Sequence, residues 1–411
     1  MYIHLYLPNR QHSKVAVPST IRNPILNLLH EAQYKPTLAT HMNAQIGQMF
    51  SDGIKSFCQR HAIEMSSIDL VGTHTPSLAR IYHRSTAGAD NHQLGWNAII
   101  QANTGLTTVF DFMIIERAVA RPHISPVAFV DRLFLRHSGK VRACLSIDEL
   151  TNITFVPVYN PNSTRGTMSH ACGPGSLFID YAMRYCTSNA HDDDNDGKFA
   201  AEGNVNQVVI DRFLNAHDYL RSAPPLNIAR EMFGDHEAQR LIDECLFSNM
   251  CDVDTVATIT RVTAQNILKQ YRRLLDLYFP QGMDIDELFI CGPSASNTNI
   301  IDYLEAELPE SVITRPLDDV GIPGNANEAV CYAHLALEAV LGQTTQVMGG
   351  DALAAREPPE EAVRARIVCG ENWEELLGRI RRFSGGKPLS VSKDVKVAGN
   401  IAAAVRGLDL Q

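Results

Sequence analysis

The step Gly173-Pro174-Gly175 constrains the fold of this chain more than any other short segment. Proline fixes its own φ and offers no amide donor, while glycine on either side reaches backbone conformations closed to other residues. The step opens a helix through Ser176-Leu177-Phe178-Ile179-Asp180-Tyr181-Ala182-Met183. The amides of a first helical turn lack partners within the helix, so this turn is expected to face an anion or a polar ligand.

Other segments indicate alternating strands and helices. Ile46, Met49, Phe50, Gly53 and Phe57 share one helical face and lead to Ser67-Ile68-Asp69-Leu70-Val71-Gly72, which reads as a buried strand ending in a turn. Val141–Ile147 and Ile153–Val158 read as a hairpin whose turn is Asp148-Glu149-Leu150-Thr151-Asn152. Ala264, Ile267, Leu268, Tyr271, Leu274 and Leu275 repeat at helical spacing and predict a core-facing stripe. Glu287-Leu288-Phe289-Ile290-Cys291 reads as a buried strand before a second glycine turn, and the whole pattern is α/β.

A chain of 411 residues exceeds one ordinary core, so two domains are expected. The net charge of -10 leaves no basic footprint, which argues against nucleic acid or an anionic membrane as partner and for a small-molecule ligand. Nine cysteines without a C-x-x-C pair suit a reducing compartment. The apolar part of the amino terminus is too short for a secretory signal and no run suggests a membrane span, so a cytoplasmic protein is expected. The acidic stretch Asp192-Asp193-Asp194-Asn195-Asp196-Gly197 offers oxygen ligands for Mg²⁺ or Ca²⁺ but lacks the full EF-hand pattern, which favours a structural turn. No metal site is assigned from the sequence. Residues 349–359 shift to small and charged types, as in a linker.

His170-Ala171-Cys172-Gly173-Pro174-Gly175-Ser176 resembles the Phe-Asp-Thr-Gly-Pro-Gly-Asn motif of the anhydro-sugar kinases, the family of anhydro-N-acetylmuramic acid kinase and fungal levoglucosan kinase. Further matching segments follow in order: Lys140–Cys144, Asp194–Gly197, Pro224-Pro225, Arg230–Phe233, Val256–Gln265, Cys291-Gly292 and Asn327–Ala329. The resemblance covers nearly the whole chain and weakens after Met348. It implies a two-domain actin/hexokinase-like α/β fold with a central cleft and a possible homodimer. The expected domains are 1–140, with 336–411 packing back on it, and 141–335.

The resemblance also shows what this chain lacks. Ala171 stands where the family places an Asp as general base. The amino-terminal Gly-Thr-Ser-x-Asp-Gly phosphate hairpin has no counterpart, a pattern that loss or truncation would each leave. The second phosphate loop, Asn-Ile-Gly-Gly-Ile-Ala-Asn in relatives, reads Ser146-Ile147-Asp148-Glu149-Leu150-Thr151-Asn152. A carboxylate about 4 Å from a phosphate charge costs about 4 kcal/mol at an effective dielectric near 20, which disfavours ATP in the family pose. Pro293 replaces a glycine in the nucleotide turn Cys291–Asn297. On the sugar side, Thr73-His74-Thr75-Pro76-Ser77, Asp111-Phe112-Met113 and Arg121–Pro126 replace Ser-His-Gly-Gln-Thr, Asp-Phe-Arg and Gly-Gln-Gly-Ala-Pro. Exchanging Arg for Met113 removes a donor fork, so a less polar ligand is expected.

By the same resemblance Gly173, Gly175, Gly292, Asn297 and Glu328 are candidate cofactor residues, Glu328 at a metal-linked position. Asp111, Met113, Arg121, Arg230 and Glu231 are candidate substrate residues. His170, His123 and His74 are expected around one cleft with Asp148 and Glu149, a set that could perform acid–base chemistry near neutral pH; the alternative leaves His170 and His123 without a ligand role. Cys172 is expected to be an inert thiol rather than a nucleophile. Three functions compete: an acid–base enzyme of cyclase, isomerase or lyase type acting on a small, fairly apolar metabolite; a non-catalytic pseudokinase binding a metabolite or protein; and a residual sugar kinase. ATP and Mg²⁺ are cofactors only in the last.

Overall fold

The computed structural model describes residues 2–6, 12–30, 36–73, 97–112, 127–158, 167–221, 233–279, 284–341, 344–345, 361–362 and 365–385. The chain divides into two compact units, one comprising Met1–Arg121, Glu328–Thr345 and Pro359–Ser392, the other built on Pro122–Asn327. The first begins with β1 (Tyr2–Tyr6), β2 (His12–Ala16), α1 (Ser19–His30), α2 (Pro36–Arg60), β3 (Val71–Gly72), α3 (Asn97–Thr104) and β4 (Thr108–Phe110). The second holds α4 (Val127–Leu135), β5 (Arg142–Ile147), β6 (Leu150–Val156), β7 (Met168–Pro174), α5 (Leu177–Cys186), α6 (Gln207–Ala216), α7 (Asp235–Phe247), α8 (Asp252–Tyr278), β8 (Glu287–Cys291), α9 (Thr298–Glu307) and β9 (Ile313–Pro316). The first unit resumes with α10 (Asn327–Leu341), β10 (Arg366–Val368) and α11 (Trp373–Ser384).

The second unit is organised by a five-stranded sheet of order β7-β6-β5-β8-β9. β5, β6 and β7 pair antiparallel as a meander, while β5–β8 and β8–β9 are parallel. This is the α/β class expected of the chain. Leu145, Ile147, Ile153 and Phe155 pack with α5, α6 and α8 into one apolar cluster. Because side chains alternate along a strand, Ser146, Asn152, Thr154, Ser169 and Ala171 share the opposite face. α8 buries the whole expected stripe, with Leu275 at its margin. Asp252 and Asp254 in its first turn complement the helix dipole.

Two sequence expectations need correction here. The strand expected over Ser67–Gly72 is only Val71–Gly72, because Met65–Ser67 close a 3-10 turn and the Ile68 and Asp69 carbonyls are taken by Asn372 Nδ2, at 3.3 and 2.9 Å. The hairpin turn is shorter than expected. Register pairs Ile147 with Thr151, so Leu150–Asn152 belong to β6 and only Asp148 and Glu149 turn.

In the first unit β3 and β4 run parallel and β10 joins the free edge of β4 antiparallel. Residues past β10 clip this sheet: Asn372 Oδ1 accepts from Thr107 N and Oγ1 at 3.2 and 2.7 Å, and Glu371 N donates to Gly105 O at 2.8 Å. The proposed 349–359 linker lies outside the described residues. Among the described residues no helix is long and apolar enough to cross a membrane.

Candidate functional site

In the second unit the Gly-Pro-Gly step leaves β7 and enters α5 directly above the β5–β6 turn. Gly175 N donates to Glu149 O at 2.8 Å, Ser176 N to Asp148 O at 2.8 Å and Leu177 N to Glu149 O at 3.3 Å. The expectation that these amides face an anion is therefore corrected: the hairpin carbonyls consume them. Gly173, at φ 125°, and Gly175 both sit where close packing requires glycine. A β-carbon on Gly173 would meet Asn266 Nδ2 at 2.6 Å, and one on Gly175 would collide with Asp148 O. Buried polar groups of α8 complete the turn, Asn266 Nδ2 donating to Cys172 O at 2.8 Å and Thr263 Oγ1 to Gly175 O at 2.9 Å.

β7 carries a bulge at this point: Thr151 faces Gly173 and Asn152 faces Ala171, with Cys172 as the extra residue. Cys172 is fully buried, and burial pushes its thiol up to about 12, so it is inert. His170 points to the apolar side. It is 3% exposed, stacks on Tyr278 with ring centroids 5.0 Å apart, and burial pushes its imidazole down to about 4. Burial disfavours the charged imidazole, which counts against the acid–base role expected of His170 near neutral pH. Asp148 is half-buried and accepts from Ser146 Oγ at 2.7 Å, while Glu149 is exposed at the turn.

Ala171 shares its face with a hydroxyl network that sequence reasoning missed. Asn152 Nδ2 donates to Ser169 Oγ at 2.9 Å, and Ser169 and Thr154 hydroxyls lie 3.2 Å apart. Asp131 of α4 joins through Thr154 and Cys144, and burial pushes its carboxyl up to about 7 against those two hydrogen bonds. A lone acid inside the apolar run Val127–Leu135 was the available signal. Cys144 and Cys291 thiols lie 3.7 Å apart, and Asn327 Nδ2 approaches Cys291 Sγ at 3.2 Å.

The second glycine turn borders a cavity of about 450 Å³ lined by Gly292, Pro293 and Ser296 on one side, Ile301 and Glu305 of α9, and Thr314–Pro316 of β9. Gly292 has φ 96° and its amide donates to Gly324 O at 3.0 Å. Asn297 is not among the lining residues; it is buried against Gly197, which also accepts from Asn299 Nδ2 at 2.6 Å. The acidic loop is thus a turn docked on α9. Asp194 accepts from Phe199 N and Ala200 N at 2.8 and 3.1 Å, and among the described residues no cluster of three or more His, Cys, Asp or Glu could hold a metal ion.

In the first unit Asp111 follows β4 at φ 59°, buried, with Arg366 Nε 3.2 Å from its Oδ2. Phe112 stacks on Tyr332 at 5.8 Å, and Tyr332 is hydrogen-bonded to Glu328, an exposed residue at the start of α10. Burial first, then Glu328, raises the Tyr332 phenol. His74, Met113, Arg121, His123, Arg230 and Glu231 lie outside the described residues.

The sequence matches the profile of the anhydro-N-acetylmuramic acid kinase family over residues 5–353. Similar proteins include the anhydro-N-acetylmuramic acid kinase of Synechococcus sp., 28% identical over 83% of this chain and 89% of that kinase. Another is that of Caldanaerobacter subterraneus, 26% identical over 75% of this chain and 76% of that kinase. Among solved structures, a ROK family glucokinase from Streptomyces griseus with glucose and AMPPNP aligns at 13% identity and a TM-score of 0.31, covering 71% of this chain and 88% of that one. With the profile spanning most of its length, the chain belongs to the anhydro-N-acetylmuramic acid kinase family.

Proposed function

We propose that this protein binds a nucleotide and an anhydro-sugar-type small molecule on the family scaffold but has given up efficient phosphoryl transfer. The observation that carries the proposal is Ala171: by the motif resemblance it stands where the family has its general base, and its strand neighbour is the amide Asn152. General-base assistance contributes about 10²–10⁴-fold, so a site without it would be slower by about that factor. The α5 amides are already hydrogen-bonded to the Asp148 and Glu149 carbonyls, which leaves that turn little capacity for a phosphate. The cavity beside Gly292 supports retained nucleotide binding, being large enough for a nucleoside and bounded by a glycine turn, a helix and a strand.

Conversion of an apolar metabolite by acid–base chemistry is the second reading, and the burial of His170 against Tyr278 counts against it. Calorimetric titration with Mg-ATP, followed by a product assay with 1,6-anhydro-N-acetylmuramic acid, tests the proposal. Binding without multiple-turnover phosphorylation is the expected result. Steady production of sugar phosphate would overturn it.

A further inference from the structure

The parallel strands β5 and β8 each carry a cysteine on the face turned away from the main apolar cluster. Register sets Cys144 beside Phe289 and Cys291 beside Ser146, so the two cysteines are diagonal neighbours. Their side chains lean together, and the sulphurs touch at 3.7 Å. Both residues are buried. A buried thiol by itself is inert, but this pair is tied at each end to a polar side chain.

At one end Cys144 is hydrogen-bonded to Asp131 of α4, the acid whose carboxyl burial pushes up to about 7. Such a carboxylate takes up a proton near neutral pH, as a base in thiol chemistry must. At the other end Asn327 Nδ2 stands 3.2 Å from Cys291 Sγ, a donor for charge that builds on that sulphur during reaction. Asn327 Oδ1 is buried and accepts no hydrogen bond among the described residues, so a hydroxyl carried by the Cys291 sulphur has an acceptor beside it. Contact with Cys291 first, then burial and Asp131, raises the Cys144 thiol. Cys144 is therefore the member of the pair that needs a base.

Cys291 also has a way in. Gly324 lines the cavity beside the second glycine turn, and a β-carbon on it would lie 3.6 Å from the Cys291 α- and β-carbons. Glycine at this position puts no side chain between the cavity and Cys291.

We propose that Cys144 and Cys291 are a redox-active dithiol that hydrogen peroxide converts to a reversible disulfide, with Asp131 as proton acceptor. The Cys291 sulphur attacks one peroxide oxygen and becomes a sulfenic acid; the other oxygen leaves with the thiol proton as water. The Cys144 sulphur then displaces the new hydroxyl. Its proton passes by way of Asp131 to that hydroxide, which departs as a second water while the S–S bond forms. The two sulphurs lose two electrons in all and the peroxide gains them. Diagonal neighbours on paired strands lie about 7–8 Å apart, beyond the usual span of a disulfide, so the bond is strained and readily reduced. Forming it draws Cys291 toward β5, and with it Gly292, which borders the cavity and whose amide is held by Gly324 O.

The test is peptide mapping of the full chain after brief exposure to hydrogen peroxide, with remaining thiols alkylated in denaturant before digestion. The expected product is a linked Cys144–Cys291 peptide, two hydrogens lighter than the reduced pair and returned to it by dithiothreitol. Oxidation confined to the exposed Cys251 and Cys369, with Cys144 and Cys291 recovered as free thiols, would overturn the inference. Asp131→Asn, confirmed as folded by its melting temperature, should slow linkage at neutral pH by at least about tenfold. Linkage at the wild-type rate in that variant would overturn the part assigned to Asp131. The effect on the cavity rests on the nucleotide site proposed above and is read by Mg-ATP titration of both forms, the oxidised chain binding at least about tenfold more weakly. Equal affinity would overturn the coupling. A linked peptide in a chain that binds no Mg-ATP in either form would support the dithiol while removing the nucleotide reading of the cavity.

Discussion

The carbonyl oxygen of Asp148 occupies the space that a side chain on Gly175 would need, and the two residues are tied by the neighbouring Ser176 N to Asp148 O bond of 2.8 Å. The obstacle is backbone, which cannot swing aside as a flexible side chain would. Gly175→Ala is therefore expected to destabilise the protein by about 2–3 kcal/mol, read as a fall in melting temperature. Gly139→Ala provides the control, because nothing lies within 4 Å of its added carbon, and it should stay within about 0.5 kcal/mol of wild type.

On the proposed function, a carboxylate placed at position 171 should raise phosphoryl transfer in proportion to how far its absence limits the rate. Ala171→Asp, on a half-exposed strand position, is expected to raise sugar phosphorylation from Mg-ATP by about tenfold or more. No rise, with nucleotide binding intact, would mean that the phosphate contacts rather than the base are limiting.

Asp131 of α4 and His170 of β7 are buried titratable groups that act over nearly the same pH window with opposite sign. Asp131 has a folded pKa raised from 3.8 to about 7, so its contribution to stability is complete below about 4 and is lost as pH rises through 7. His170 has a folded pKa lowered from 6.5 to about 4, so its contribution is complete above 6.5 and is lost as pH falls through 4. Denaturant titrations of Asp131→Asn should show a flatter stability profile between pH 4 and 7, and those of His170→Phe a flatter one between 6.5 and 4. His170→Phe should also leave ligand binding and any turnover unchanged; a large loss of either would return His170 to the site.

Filling the cavity beside the second glycine turn should abolish nucleotide binding without unfolding the chain. Ser296 is an exposed lining residue, so Ser296→Trp adds bulk without disturbing the core. Mg-ATP affinity should fall at least about tenfold with an unchanged melting temperature. Unaltered affinity would place the nucleotide elsewhere.

Much of the core was legible because its signals are periodic and local. The α8 stripe and the β8 run each announce themselves within a few residues, and both are buried as read. The site was less legible because it depends on which face a residue takes and on partners distant in sequence. His170 falls on the helix-covered side of β7, where Tyr278 covers it from 108 positions away, and no window around residue 170 carries that information. The turn amides were open in sequence and closed in structure because their acceptors, Asp148 O and Glu149 O, belong to another hairpin. The ion pair of Asp111 with Arg366 was invisible for the same reason: it comes from strand pairing across more than 250 residues.

Asn372 and β10 carry one more consequence. The match to the family ends at 353, yet the edge of β4, the Thr107 side chain and the Ile68 and Asp69 carbonyls are all completed by residues after it. Shared ancestry and cooperative folding therefore have different borders in this chain. An expression clone trimmed to the recognisable homology would leave a sheet edge bare and prone to aggregate, and its failure would say nothing about the activity of the whole protein.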